Sequence, residues 1–222
     1  MAIIHGDPGE ERELHRREAM GAFAHEIRTP LTSIRMVVEL AKRQADNGEL
    51  LLDAELAGML VTSVDDLQQL ADDLQESSRL ERGRLSLSQG PTNLAAALEA
   101  ARSLGAAHVI IEGAAPADLE GPWDAPRLVR AIAGFAEAVN RIGNGSGIVA
   151  FECERGEDVV VRFLSGEANE TRKPIGADAG FAYFRSRQFV IAMGGTVECA
   201  RGDHYCCVTL ALPRRGAEAT DG

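Results

Sequence analysis

A proline interrupts the longest stretch of helical periodicity in this chain. From Leu14 to Arg43 apolar residues recur at helical spacing, at Ile27, Leu31, Ile34, Val38 and Ala41, so the run reads as one long amphipathic helix. Pro30 lies inside it. There it removes a backbone N–H, leaves the Glu26 carbonyl without its helical partner and costs ~3 kcal/mol. One turn earlier stand His25 and Glu26, and His25 is off the apolar stripe and expected in solvent. A helix that carries such a penalty beside an exposed His-Glu pair calls for a functional reason.

The chemistry available there is specific. An imidazole nitrogen can attack phosphorus, which makes His25 a candidate covalent phosphate carrier. Glu26 is a candidate to accept a hydrogen bond from the other ring nitrogen, fixing the tautomer. Thr29 is one turn from His25 and suited to orienting a water. The alternative is a surface histidine beside a surface glutamate with no role.

A second helical run follows, from about Leu51 to Arg82, with a near-heptad stripe of Leu52, Leu56, Met59/Leu60, Leu67, Leu70 and Leu74. Gln44 to Gly48 reads as the turn between the two helices. One hairpin cannot cover both stripes, so two hairpins paired as a four-helix bundle, a homodimer, are expected. The alternative is packing of the hairpin on the rest of its own chain. Gly83 and Gly90-Pro91 punctuate the exit and place a domain boundary near Arg84. The expected domains are 10–84, 85–213 and a disordered tail over 214–222.

Beyond the boundary, elements alternate. Helices are expected over Asn93–Leu104, Pro126–Arg141 (with Asp124 as cap) and Gly180–Met193. Strands are expected over His108–Glu112, Ile148–Glu154, Asp158–Leu164, Thr196–Ala200 and Tyr205–Leu212. Gly143 to Gly147 lacks the lysine and following helix of a phosphate loop and reads as a turn, and Ser165 to Ala179 reads as loop. Met1 to Gly9 reads as a frayed start. The fold class is therefore α+β, a long antiparallel helical hairpin followed by an α/β sandwich.

Composition excludes some partners. A net charge of −11 argues against nucleic acid or an anionic membrane, and no apolar run is long enough to insert in a bilayer. Cys153, Cys199, Cys206 and Cys207 have no metal-type spacing, no metal site is expected, and reduced thiols in a cytoplasmic protein are the expected state. Cys206 and Cys207, being adjacent, cannot easily face the same way in a strand.

The string His25-Glu26-Ile27-Arg28-Thr29-Pro30-Leu31-Thr32 resembles the H-box of bacterial sensor histidine kinases at every position. The run Leu67 to Leu87, with Ser78-Arg79-Leu80-Glu81-Arg82-Gly83, is similar to the second helix of their dimerisation domain, and the later elements resemble their ATP-binding domain, over about residues 12–213 in all. The resemblance implies phosphoacceptor chemistry at His25, Glu26 and Thr29, with Arg28 and Pro30 as structural neighbours. Glu26 to Thr29 also matches the family's phosphatase motif. The family's nucleotide motifs do not carry over. Its two metal-side asparagines fall on Gly134 and Ala138, with Asn140 two residues out of register. Its adenine-reading aspartate falls on Ser165, and its Gly-x-Gly-x reads Gly180-Phe181-Ala182-Tyr183 with two bulky rings. The loop that would form its ATP lid is short.

The resemblance therefore implies a degenerate, kinase-derived histidine phosphotransferase of a phosphorelay. Such a protein has no cofactor of its own. Its partner is a response-regulator receiver domain that carries its own Mg²⁺, and an upstream hybrid histidine kinase is a further candidate partner. Input is expected from another protein or from a sensory segment outside this sequence. Two alternatives stand beside this reading: an ATP-dependent kinase with a divergent pocket, and a non-catalytic dimeric scaffold.

Overall fold

The computed structural model describes residues 8–44, 52–104, 109–167 and 173–214. The expected turn over Gln44–Gly48 lies almost wholly outside these residues, as do most of the chain start, the middle of the 165–179 loop and the tail. The chain divides into two compact units between Ser78 and Arg79.

In the first unit α1 runs Pro8–Arg43 and α2 Ala54–Glu81, forming the expected helical hairpin. Pro8 and Gly9 are part of α1, where the sequence reading expected a frayed start. Proline suits a first helical position, because its missing N–H has no partner there in any case. The α2 helix begins at Ala54, later than the periodicity suggested, because Asp53 caps it: the Leu56 N–H donates to Asp53 Oδ1 at 2.8 Å.

The α1 stripe is not uniform. Ala22, Val37 and Ala41 are buried, with Ile27 and Ile34 half-buried. Leu31 and Val38 are 50% and 39% exposed, although the periodicity grouped them with the buried residues. They sit to one side of the buried line. Met20, Ala24, Ile27, Leu31, Ile34 and Val38 follow one another at alternating spacings of four and three, which is the heptad spacing of a helix seam. The buried line of α2 includes polar side chains. The Ser63 hydroxyl donates to the Met59 carbonyl at 2.8 Å, and Asp73 accepts from Gln69 Nε2 at 2.8 Å.

The second unit is a sheet with helices on one side. Strands β2 (Ile110–Glu112), β4 (Ile148–Arg155), β5 (Asp158–Ser165), β6 (Thr196–Arg201) and β7 (Cys206–Pro213) run in the order β2-β4-β5-β7-β6. β2 is parallel to β4, and the other neighbours are antiparallel. α4 (Ala125–Ile142) lies across β4, β5 and β7, with α3 (Leu94–Leu104) and α5 (Phe181–Ala192) beside it. Alternation in the strands explains the layering. Val159, Val161 and Phe163 of β5 point inward and are fully buried, against Phe135 of α4 and Phe151 of β4.

Two short strands were not expected. β1 (Gly90–Asn93) pairs antiparallel with β3 (Glu120–Trp123), with Pro91 opposite Pro122. Trp123 is fully buried and its indole N–H donates to the Pro213 carbonyl at 2.8 Å. Gly121 passes directly over that ring, and a side chain there would collide with the indole.

Candidate phosphoacceptor site

α1 stays helical through Pro30. The proline ring is buried, so apolar burial offsets part of its helix penalty. Around the gap, the Thr32 hydroxyl donates to the Arg28 carbonyl at 2.7 Å. Helical geometry then sets the site. His25 and Pro30, five residues apart, point about 140° away from each other, so burying Pro30 turns His25 outward. His25, Arg28 and Thr29 are all exposed. Thr29, four residues on, shares the face of His25. Glu26 is half-buried and lies about 100° round the helix. Side chains at i and i+1 do not face each other, so the carboxylate flanks the imidazole rather than stacking along the axis with it.

The second set of residues named from the sequence lies on α4, at the end of β5 and at the start of α5. Asp124 is fully buried and fixes the start of α4. It accepts from the Arg127 N–H at 3.2 Å, from Arg127 Nη1 at 2.5 Å and from the Ser88 N–H at 2.8 Å. Its tie to Ser88 escaped the sequence reading, as a contact between residues 36 apart does.

Gly134 and Ala138 are both buried on α4. Opposite Gly134 lie Ala182 and Ser186 of α5. A Cβ built on Gly134 would stand 3.0 Å from the Ala182 carbonyl oxygen and overlap the Ser186 hydroxyl outright. The two helices thus touch backbone to backbone where the resemblance calls for a metal-side asparagine. The Ser186 hydroxyl is fully buried and has no hydrogen-bond partner among the described residues.

Ser165 is also enclosed. It is 4% exposed, its hydroxyl stands 3.4 Å from Asn144 Oδ1, and a Cβ on Gly143 would collide with it. Asn140 closes the same loop by accepting from the Gly147 N–H at 2.8 Å, so its amide serves the 143–147 turn. Gly180 precedes α5 with φ of 83°, a left-handed conformation that favours glycine. Phe181 and Tyr183 turn inward rather than crowding Gly180 from outside. They are 3% and 2% exposed, and Tyr183 meets Phe135 edge-on at 5.9 Å. Burial pushes the Tyr183 phenol well above its ordinary value. In the 3-10 turn Ala177–Ala179, Asp178 takes both arms of Arg201, at 2.8 and 2.7 Å, which holds its carboxyl below the usual range. Among the described residues no cluster of His, Cys, Asp and Glu suits a metal ion, and no helix is long and apolar enough to cross a membrane.

Comparison with known proteins agrees with this architecture. Residues 15–83 match the family model of the His Kinase A (phospho-acceptor) domain. Over 90% of its length the chain is 26% identical to the probable sensor histidine kinase TcrY of Mycobacterium tuberculosis (strain ATCC 25618 / H37Rv), of which it spans 46%. Among solved structures, the Acinetobacter baumannii histidine kinase AdeS matches with a TM-score of 0.63 at 17% identity, over 86% of this chain and 98% of that one. Full-length ShkA in complex with AMPPNP matches with a TM-score of 0.54 at 22% identity, over 88% of this chain and 45% of that one. The chain is thus similar to histidine kinases: residues 15–83 match a His Kinase A phosphoacceptor domain, and the chain has the fold of solved histidine kinases.

Proposed function

We propose that this protein is a histidine phosphotransfer protein, which exchanges phosphate between His25 and the aspartate of a response-regulator receiver without using ATP. The observation that carries this reading is the contact of Gly134 with Ala182 and Ser186, which leaves no room for a side chain at the position where the resemblance calls for a metal-side asparagine. An exposed His25 on a retained phosphoacceptor helix supports the other half. In the reaction an imidazole nitrogen attacks phosphorus and the bond to the receiver's carboxylate oxygen breaks. That carboxylate is the leaving group, and charge is offset at the receiver's own Mg²⁺ site, outside this chain. Glu26, flanking the ring, polarises the imidazole within the docked complex. Thr29 holds the water that hydrolyses a phospho-receiver. The exposed seam of Met20, Leu31 and Val38 supports a homodimer built on α1 and α2.

A second reading keeps the ATP-dependent kinase. Similarity to a probable sensor histidine kinase over nine-tenths of the chain favours it. Calorimetry with Mg²⁺ and ATP separates the two. The first reading expects no heat of binding at millimolar nucleotide, and saturable binding would support the second.

A further inference from the structure

Cys199 on β6 and Cys206 on β7 bring their sulfurs to 3.8 Å on the helix-facing side of the sheet. Cys199 pairs in register with Val208 and Arg201 with Cys206, so the thiols are diagonal neighbours across two adjacent strands. Cys207, the next residue, faces the opposite side, with its sulfur 3.8 Å from the Thr209 hydroxyl. The reachable partner of Cys206 is therefore Cys199 and not its sequence neighbour. All four cysteines are free thiols.

We infer that Cys199 and Cys206 form a peroxide-responsive thiol pair, with Cys199 as the attacking sulfur and Cys206 as the resolving one. Access separates the roles, because Cys199 is half-buried and Cys206 is fully buried. The environment agrees. The Cys199–Cys206 contact holds the Cys199 thiol below its ordinary range, helped by the Arg201 guanidinium, while the same contact and burial push Cys206 up. In the first step the Cys199 thiolate attacks one oxygen of a hydroperoxide. The O–O bond breaks, hydroxide leaves and takes a proton as water, and Cys199 becomes a sulfenic acid. In the second step Cys206 gives up its proton and attacks the Cys199 sulfur. The S–O bond breaks and a second water leaves. Two thiols are oxidised by two electrons, and one peroxide is reduced to two waters.

A disulfide needs its sulfurs at about 2 Å and its Cβ atoms at about 3.8 Å, closer than a diagonal pair ordinarily stands. The bond therefore pulls β6 and β7 together and is strained, which places it with reducible, regulatory disulfides rather than structural ones.

The test is thiol counting and peptide mapping on the full chain after hydrogen peroxide, with alkylation of the remaining thiols. Oxidation is expected to halve the count of four free thiols and to yield a bridge between the peptides holding Cys199 and Cys206, reversed by millimolar glutathione. Cys206→Ser is expected to trap a sulfenic acid on Cys199 that reacts with dimedone, and Cys199→Ser to leave every remaining thiol intact. Four surviving thiols, a bridge using Cys153 or Cys207, or no dimedone adduct in Cys206→Ser would each overturn the proposal.

Discussion

Adding one methyl group at Gly134 should destabilise the α/β domain. Glycine is the weakest helix former after proline, so Gly134→Ala in an exposed helix would gain about 1 kcal/mol. Here the new Cβ would stand 3.0 Å from the Ala182 carbonyl and overlap the Ser186 hydroxyl. Overpacking of this kind costs ~1–3 kcal/mol, and a carbonyl belonging to the facing helix cannot swing aside as a side-chain end can. Because the contact is to backbone, the cost falls in the upper half of that range, at ~2–3 kcal/mol. The net loss is then expected at ~1–2 kcal/mol, or a fall in Tm of roughly 3–12 °C for a domain of this size. Ser186→Ala alone removes a buried hydroxyl that has no hydrogen-bond partner among the described residues, so it should be neutral or stabilising. The double variant should recover part of the loss, with a coupling energy of at least ~0.5 kcal/mol, because the worst overlap is with the serine oxygen. Thermal melting of the four proteins measures all of this. A Gly134→Ala protein as stable as the parent, with no coupling to position 186, would refute the closed seam between α4 and α5.

Thr29→Ala should leave phosphate transfer to His25 intact and lower hydrolysis of a phospho-receiver by about tenfold or more, compared in parallel label-release assays. Leu31, half exposed in a single chain, should be covered in a dimer. Leu31→Glu removes that burial twice, which is worth ~2 kcal/mol or more in all, so sedimentation should show dimerisation weakened by about 30-fold or more. Asp178, whose carboxyl is held low by Arg201, lends stability that is present above the unfolded carboxylate range near pH ~4 and lost as pH falls through its lower folded value. Asp178→Asn should therefore cost under about 1 kcal/mol at pH 6, since the carboxylate is largely exposed, and the gap to the parent should close by about pH 3 in parallel melts.

Much of the fold could be read from local signals. β5 was visible because Val159, Val161 and Phe163 alternate with outward residues, and α4 because Asp124 and Pro126 mark its start. β1 and β3 were not, because Pro91 and Pro122 face each other there and neither can donate to the ladder, leaving no strand signature. The stripe of α1 was visible as a period but not as two faces. Leu31 and Val38 belong to the same apolar run as Ala41 but lie to one side of its buried line. At the candidate sites, the loss of asparagine at 134 and 138 was plain in the sequence. The close contact of α4 with α5 was not, because Gly134 meets Ser186 across two helices and glycine gives no local sign of what approaches it. Thr29 sharing the face of His25, and Glu26 flanking it, follow from helical spacing alone once α1 is known to pass unbroken through Pro30.

The central claim is that phosphate reaches His25 from a receiver and not from ATP. The direct measurement incubates the full chain separately with γ-labelled ATP and Mg²⁺, and with a receiver labelled on its aspartate, then locates acid-labile label by peptide mapping. The account predicts label on His25 from the receiver, none from ATP, and none from either donor in His25→Gln, which should fold normally because His25 is exposed. Stoichiometric labelling of His25 by ATP alone would contradict it.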